Sequence, residues 1–250
     1  MTTIIKQTLM PTYARLPVTF AHGEGAVLFD TEGKPYLDAV AGVAVCSLGH
    51  ARPEVADAIC EQAHRLMHTS NLYQIENQQV LGERLCALAG MDNAFFCNSG
   101  AEANEAAIKI ARLYAHNKGI EHPVIIVMSN AFHGRTMATV TATGNPKAQA
   151  GFGPLLEGFV RVQYGDAKAV AEQLAADKNI VAVLVEPVQG EGGVQVPSAN
   201  YLPRLRELCD QNDCLLIADE IQTGMCRTGK WFAFQHTAIQ PDVMTLAKAL

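Results

Sequence analysis

The sequence predicts an α/β protein: a mostly parallel sheet with helices on both faces, preceded by an N-terminal arm and a small-domain segment. Three observations predict it. From about Ala94 to Thr245, short apolar runs alternate with helical stretches, the pattern of a doubly wound sheet with right-handed crossovers. The run Leu215-Leu216-Ile217-Ala218 leads into Asp219-Glu220 and a turn containing Gly224, as a buried parallel strand does when it delivers a carboxylate to a sheet rim where ligands bind. Helix punctuation is explicit, with Pro53 at one start and Gly90 after one end.

In chain order, Ala26 to Asp30, the turn Thr31-Glu32-Gly33-Lys34 and Pro35 to Asp38 read as a hairpin. A helix begins near Pro53, with Val55, Ile59, Ala63 and Leu66 on one face, and a second runs from Glu76 to Ala89 with Val80, Leu81, Leu85 and Leu88 apolar. Expected strands are Ala94 to Cys97, Val124 to Met128, Phe159 to Val162, Ile180 to Glu186 and Cys214 to Asp219. Helices are expected at Ala101 to His116, Arg135 to Ala142, Ala167 to Ala176 and Ala199 to Asn212. Residues 1–50 then form the arm and small-domain segment and 51–250 a large domain. Because Val243 to Leu250 reads as an apolar strand entering a turn, that domain is expected to be truncated at its C-terminal end.

Composition narrows the function classes. With 49% hydrophobic and 18% charged residues the chain buries a large core. A formal charge of -6 and scattered Lys and Arg give no basic face for nucleic acid. No apolar run approaches the roughly 20 residues that cross a bilayer, and no signal organisation opens the chain, so no membrane partner and a cytoplasmic location are expected. Seven cysteines without a C-x-x-C pattern read as reduced core thiols.

Several constellations carry chemistry. Cys97-Asn98-Ser99-Gly100-Ala101-Glu102 joins a strand to an Ala-rich helix. Its free N–H groups suit a phosphate, and the same residues read equally well as a plain N-cap. Neither a P-loop nor a dinucleotide fingerprint is present. Phe132-His133-Gly134-Arg135-Thr136 places a ring, an imidazole and a guanidinium in a loop after a strand. They suit a planar cofactor and a carboxylate, or, for Phe132 and His133, a core ring and a capping imidazole. Glu186 and Glu191 flank a glycine loop and are either substrate-orienting or solvated acids. His64 and His68 have helical metal-ligand spacing but no third ligand, so no metal is expected. Ser99, His133 and Asp219 nominally compose a hydrolase triad, but Ser99 lacks the G-x-S-x-G elbow.

Lys248 unifies these pieces. A lysine at an apolar strand end is ordinarily a snorkelling surface residue, yet this one belongs on the same rim as Asp219. A desolvated amine there becomes a nucleophile toward an aldehyde. Pyridoxal 5'-phosphate is an aldehyde with a phosphate, a flat ring and a basic ring nitrogen, and it uses all these groups: Lys248 for the aldehyde, Asp219 for the nitrogen, Phe132 for the ring face and Ser99 to Ala101 for the phosphate.

On the stretches Asn98 to Glu105, Phe132 to Thr136, Glu186 to Gly193, Ala218 to Gly224 and Thr245 to Leu250, in that order, the chain resembles the class III pyridoxal-phosphate-dependent aminotransferases. The resemblance implies catalytic Lys248 and Asp219, and a cofactor shell of Ser99, Gly100, Ala101, Phe132, His133, Glu186 and Gln222. It implies Arg135 on the substrate carboxylate, Glu191 on the amine or gating side, and Tyr13, with Val43 to Cys46, near the substrate entrance. It implies transamination with 2-oxoglutarate, with N-acetylornithine as the expected amino donor and ornithine, N-succinyl-diaminopimelate or 4-aminobutyrate as alternatives. It further implies a homodimer with the site at the subunit interface. An aminomutase or decarboxylase on the same scaffold, and a non-catalytic cofactor-binding fragment, are the competing readings.

Overall fold

A computed structural model describes residues 8–250, so the first seven residues of the expected arm lie outside the described residues. The chain divides into two compact units, Met1–Met67 and His68–Leu250.

In the first unit β1 (Phe20–Glu24), β2 (Val27–Asp30) and β3 (Pro35–Leu37) form an antiparallel sheet in that order, which contains the expected hairpin. Asp30 shapes its turn: one carboxylate oxygen accepts the Glu32 and Lys34 N–H groups at 2.9 Å and the other accepts the Tyr36 hydroxyl at 3.0 Å. Asp38 does the same for the single turn α1 (Ala41–Ala44), accepting from Val40 and Ala41, and it pairs with His50 Nε2 at 2.7 Å. Helix α2 (Pro53–Arg65) starts on its proline as expected, but it buries no residue; Val55, Ile59 and Leu66 are exposed.

The second unit opens with α3 (Glu76–Ala89), stopped by Gly90 in the left-handed conformation at φ 68. There follow α4 (Gly100–Asn117), β4 (Val124–Met128), α5 (Met137–Ala142), α6 (Pro146–Gln149), β5 (Phe159–Val162), α7 (Ala167–Ala176), β6 (Ile180–Val185), α8 (Tyr201–Asn212), β7 (Leu215–Asp219) and β8 (Val243–Thr245). The five strands pair in parallel in the order β5-β4-β6-β7-β8. Side chains alternate between two cores. Ile126, Met128, Val183 and Val185 pack with Leu174 of α7 and Leu205 and Leu208 of α8. Ile125, Val127, Val181 and Leu184 pack with Ala107, Ile108, Ala111 and Ala115 of α4 and with Ala138 and Ala142 of α5. Helices thus cover both faces, and β6, central in the sheet, is buried along its whole length.

Three expectations are corrected. Ala94 to Cys97 is loop rather than strand: Ala94, Phe95 and Cys97 are exposed, and four residues without a ladder partner cannot satisfy a strand's backbone. Helix α5 begins at Met137, two residues later than expected, because Thr136 takes the N-cap and closes a capping box with Thr139. All seven cysteines are free, but only Cys209 and Cys214 are buried; Cys60, Cys97 and Cys226 are exposed, because apolar neighbours in sequence did not place them on a covered face.

Candidate active site

Parallel pairing sets the level of every strand end. Val185 pairs with Ala218 and Asp219 with Thr245, so Glu186, Asp219 and Thr245 stand side by side at the carboxyl edge of the sheet. From β4 the chain moves to β5 on one side and returns to β6 on the other. The carboxyl ends of β4 and β6 therefore flank the switch point at which open α/β sheets take ligands.

Asp219 is the centre of this edge, and it is only 3% exposed. Its Oδ2 accepts Asn104 Nδ2 at 2.8 Å and pairs with His133 Nδ1 at 2.7 Å, while Oδ1 accepts the Ile221 N–H at 3.1 Å. Burial alone disfavours a charged imidazole, but the bond to Asp219 and its charge outweigh it, and the His133 pKa is raised. The loop after β4 is held from several sides. The His133 N–H donates to Thr143 Oγ1 at 3.0 Å, Asn104 Nδ2 donates to the His133 carbonyl at 2.8 Å, and Glu105 Oε1 accepts Thr136 Oγ1 at 2.5 Å and the Ala138 N–H at 3.1 Å.

Glu186, at the end of β6, accepts the Phe132 N–H at 3.0 Å. Its burial pushes the carboxyl pKa up to about 7, with the Asp219 charge adding and the His133 charge opposing. Phe132 is half-buried, and the exposed Arg135 holds its guanidinium carbon 6.0 Å from the Phe132 ring centre.

Helix α4 begins at this edge. Ser99 Oγ accepts the Glu102 N–H at 3.2 Å, and the Glu102 carboxylate accepts the Asn98 N–H at 2.6 Å. The cap uses the hydroxyl's lone pair and not its proton, and the first-turn N–H groups at Gly100 and Ala101 have no intrahelical acceptor. A Cβ on Gly100 would stand 2.9 Å from Ile221 Cδ1 and 3.3 Å from Ala247 Cβ, so this helix start lies against the segments leaving β7 and β8. Gln222 is half-buried, and a Cβ on Gly190 would collide with its Oε1. Lys248 is half-buried at φ 55, a strained conformation for a residue with a side chain. Burial lowers its pKa, while the charges of Glu191, Asp219 and Glu186 pull it back up; Glu191 itself is exposed.

The structure therefore brings Ser99, Gly100, Ala101, Phe132, His133, Glu186, Glu191, Asp219, Gln222 and Lys248 to one edge of the second unit, with Arg135 beside Phe132. Tyr13 belongs to the first unit and is 69% exposed. Sequence reasoning missed Asn104, Glu105, Thr143 and Thr245. An asparagine inside an Ala-rich helix, where its side chain competes for backbone bonds, was the available signal.

A parallel sheet with its polar groups at the carboxyl edge defines a small-molecule-binding α/β domain. The chain belongs to the aminotransferase class-III family, whose pattern matches residues 9–250. It is 62% identical over 242 residues to the acetylornithine aminotransferase of Nitrosomonas europaea, covering 97% of this chain and 62% of that protein. The acetylornithine aminotransferase of Methanocaldococcus jannaschii is 51% identical over 239 residues, covering 95% of this chain and 60% of that protein. Among solved structures, the ornithine aminotransferase of Toxoplasma gondii ME49 superposes with a TM-score of 0.93 at 39% identity, covering 97% of this chain and 58% of that one. The N-acetylornithine aminotransferase of Stenotrophomonas maltophilia superposes with a TM-score of 0.82 at 39% identity, covering 94% and 59%. The chain thus spans 62% and 60% of the length of these two curated relatives.

Proposed function

We propose that the protein serves a pyridoxal-5'-phosphate-dependent transamination in which N-acetylornithine gives its amino group to 2-oxoglutarate. The observation that carries this reading is the carboxylate Asp219, buried and fixed by three donors on the rim that also holds Lys248. The site fits the cofactor on its own terms. A buried carboxylate with a lone pair left on Oδ1 suits a protonated ring nitrogen, and the side-chain-free start of α4 at Gly100 suits a phosphate. When bound, pyridoxal 5'-phosphate supplies an aldehyde to take up the amino group and a ring to accept electrons.

Each residue then has a task. Lys248 Nζ, with a pKa lowered by burial, would hold the cofactor through its aldehyde and would serve as the base for the proton at the donor carbon. Asp219 would keep the ring nitrogen protonated, with His133 backing the carboxylate. Phe132 would cover the ring face, Ser99, Gly100 and Ala101 would take the phosphate, and Gln222 would take the ring oxygen. Arg135 binds the substrate carboxylate, with Glu186 and Glu191 on the amine side. Tyr13 belongs to the substrate entrance.

Residues 1–50 as arm and small-domain segment, residues 51–250 as the cofactor-binding domain, a homodimer with the site at the interface and a cytoplasmic location complete the reading. Among the described residues no helix is long and apolar enough to cross a membrane. The test is glutamate formation from 2-oxoglutarate by the chain supplied with pyridoxal 5'-phosphate, across N-acetylornithine, ornithine, N-succinyl-diaminopimelate and 4-aminobutyrate. The reading expects N-acetylornithine to be fastest. Turnover that needs no 2-oxo acid, or cofactor uptake without transfer to any acceptor, would overturn it.

A further inference from the structure

We propose that Asn104 is a positioning residue which, held by Thr245, fixes the Asp219 carboxylate so that Oδ1 is the oxygen left to meet a ligand's protonated nitrogen. The inference rests on the reading above for what that ligand is, and on geometry for the rest.

Thr245 Oγ1 donates to Asn104 Oδ1 at 2.8 Å. A hydroxyl donates or accepts, so the facing of the Asn104 amide is decided at its other end, where the His133 carbonyl and the Asp219 carboxylate only accept, and the Thr245 hydroxyl then holds Oδ1 in place. Asn104 Nδ2 gives its two hydrogens to the His133 carbonyl and to Asp219 Oδ2, both at 2.8 Å. Oδ2 also receives His133 Nδ1 at 2.7 Å, which fills both of its lone pairs. Among the described residues Oδ1 receives only the Ile221 N–H, at 3.1 Å, which leaves one pair for a further donor. The four side chains come from α4, β8, β7 and the loop after β4, so one amide ties the helix that starts at Ser99 to both neighbouring strand ends. All four are buried, at 0% for Asn104, 4% for Thr245, 3% for Asp219 and 2% for His133. Without water to replace a lost partner, the Asn104 amide has one arrangement that satisfies both its ends, and in the network only His133 Nε2 is buried without a partner.

The test compares Thr245→Val, which removes the hydroxyl and keeps the shape, Thr245→Ser, which keeps the hydroxyl, and Asn104→Ala. In the cofactor-free chain, the downfield proton of the His133 Nδ1–Asp219 bond is followed by NMR. We expect it to shift and exchange faster in Thr245→Val and Asn104→Ala and to be restored in Thr245→Ser. In the chain loaded with pyridoxal 5'-phosphate, kcat should fall roughly ten- to a hundredfold with KM for the amino donor within about twofold. The pH dependence of the bound cofactor's absorbance should move with it. Variants that melt earlier yet keep the wild-type resonance, pH dependence and kcat would show packing alone and sink the assignment. If Asn104→Ala does not fold, Thr245→Val decides. If the wild type takes up no cofactor, the proposed function fails, while the His133 resonance still decides the role of Asn104.

Discussion

At the residue scale the chemistry depends on burial more than on residue type. Lys248 and Asp219 lie on one rim, and the half-buried position of the lysine lowers its pKa, the direction that the proposed nucleophilic role requires. Replacing Lys248 with Ala should abolish the borohydride-trapped mass of the attached cofactor and the transamination rate. The melting temperature should stay at or above that of the parent, because a strained backbone carries a smaller side chain more easily. Turnover at the parent rate would remove Lys248 from the chemistry. Glu186 offers a second check. Its carboxyl stays protonated up to about pH 7 in the folded chain, against 4.5 as the unperturbed value. The folded state thus binds more protons than the unfolded one in that window, and the stabilising difference, full below pH 4.5, is lost as pH rises through 7. Glu186→Gln keeps an acceptor for the Phe132 N–H, so denaturant titrations from pH 4 to 8 should show the decline in the parent and a flatter profile in the variant. Equal slopes would mean that Glu186 is ionised in the fold.

At the element scale, small residues determine how closely the parts approach. Asn104, Ala107, Ile108, Ala111 and Ala115 form a buried stripe at helical spacing, and its alanines let α4 settle on the sheet. Gly144, after α5, donates its N–H to the Ala131 carbonyl at 2.8 Å, and its own carbonyl accepts the Asn130 N–H at 3.3 Å. A Cβ there would press on the Met128 carbonyl oxygen and stand 2.5 Å from the Asn130 nitrogen, both rigid backbone at the end of β4. Gly144→Ala should therefore cost about 2–4 kcal/mol in a denaturation curve and loosen the loop that carries Phe132 and His133. A loss below about 0.5 kcal/mol would show that the loop relaxes freely.

At the scale of the whole molecule, the second unit is built outward from β6. Every residue of that strand is buried, it has a paired neighbour on each side, and a core lies on each face. Its amides should exchange with solvent slowest of all the strands, near the rate set by global unfolding, while those of the edge strand β5 exchange sooner. Slower exchange in β5 than in β6 would contradict this hierarchy. The first unit rests on different physics. Two aspartates, Asp30 and Asp38, organise its turns by accepting backbone N–H groups, and α2 leaves Val55 and Ile59 exposed.

The sequence by itself determined the alternation of strands and helices, the ends of α3 and α7, and the run that delivers Asp219, because those features are set by local periodicity and by cap and turn chemistry. It failed at Ala94 to Cys97, where strand composition met no partner strand, and at five of the seven cysteines, whose burial depends on which face is covered. The tertiary structure alone decided that Asp219 meets His133 and Asn104, which lie 86 and 115 positions away in the chain. Strand register and the closeness of α4 create that meeting, and no spacing rule reaches so far. Asn104 shows the difference most plainly: within its helix it is a poor helix former, and within the fold it is bonded to three side chains or carbonyls that no local pattern brings together.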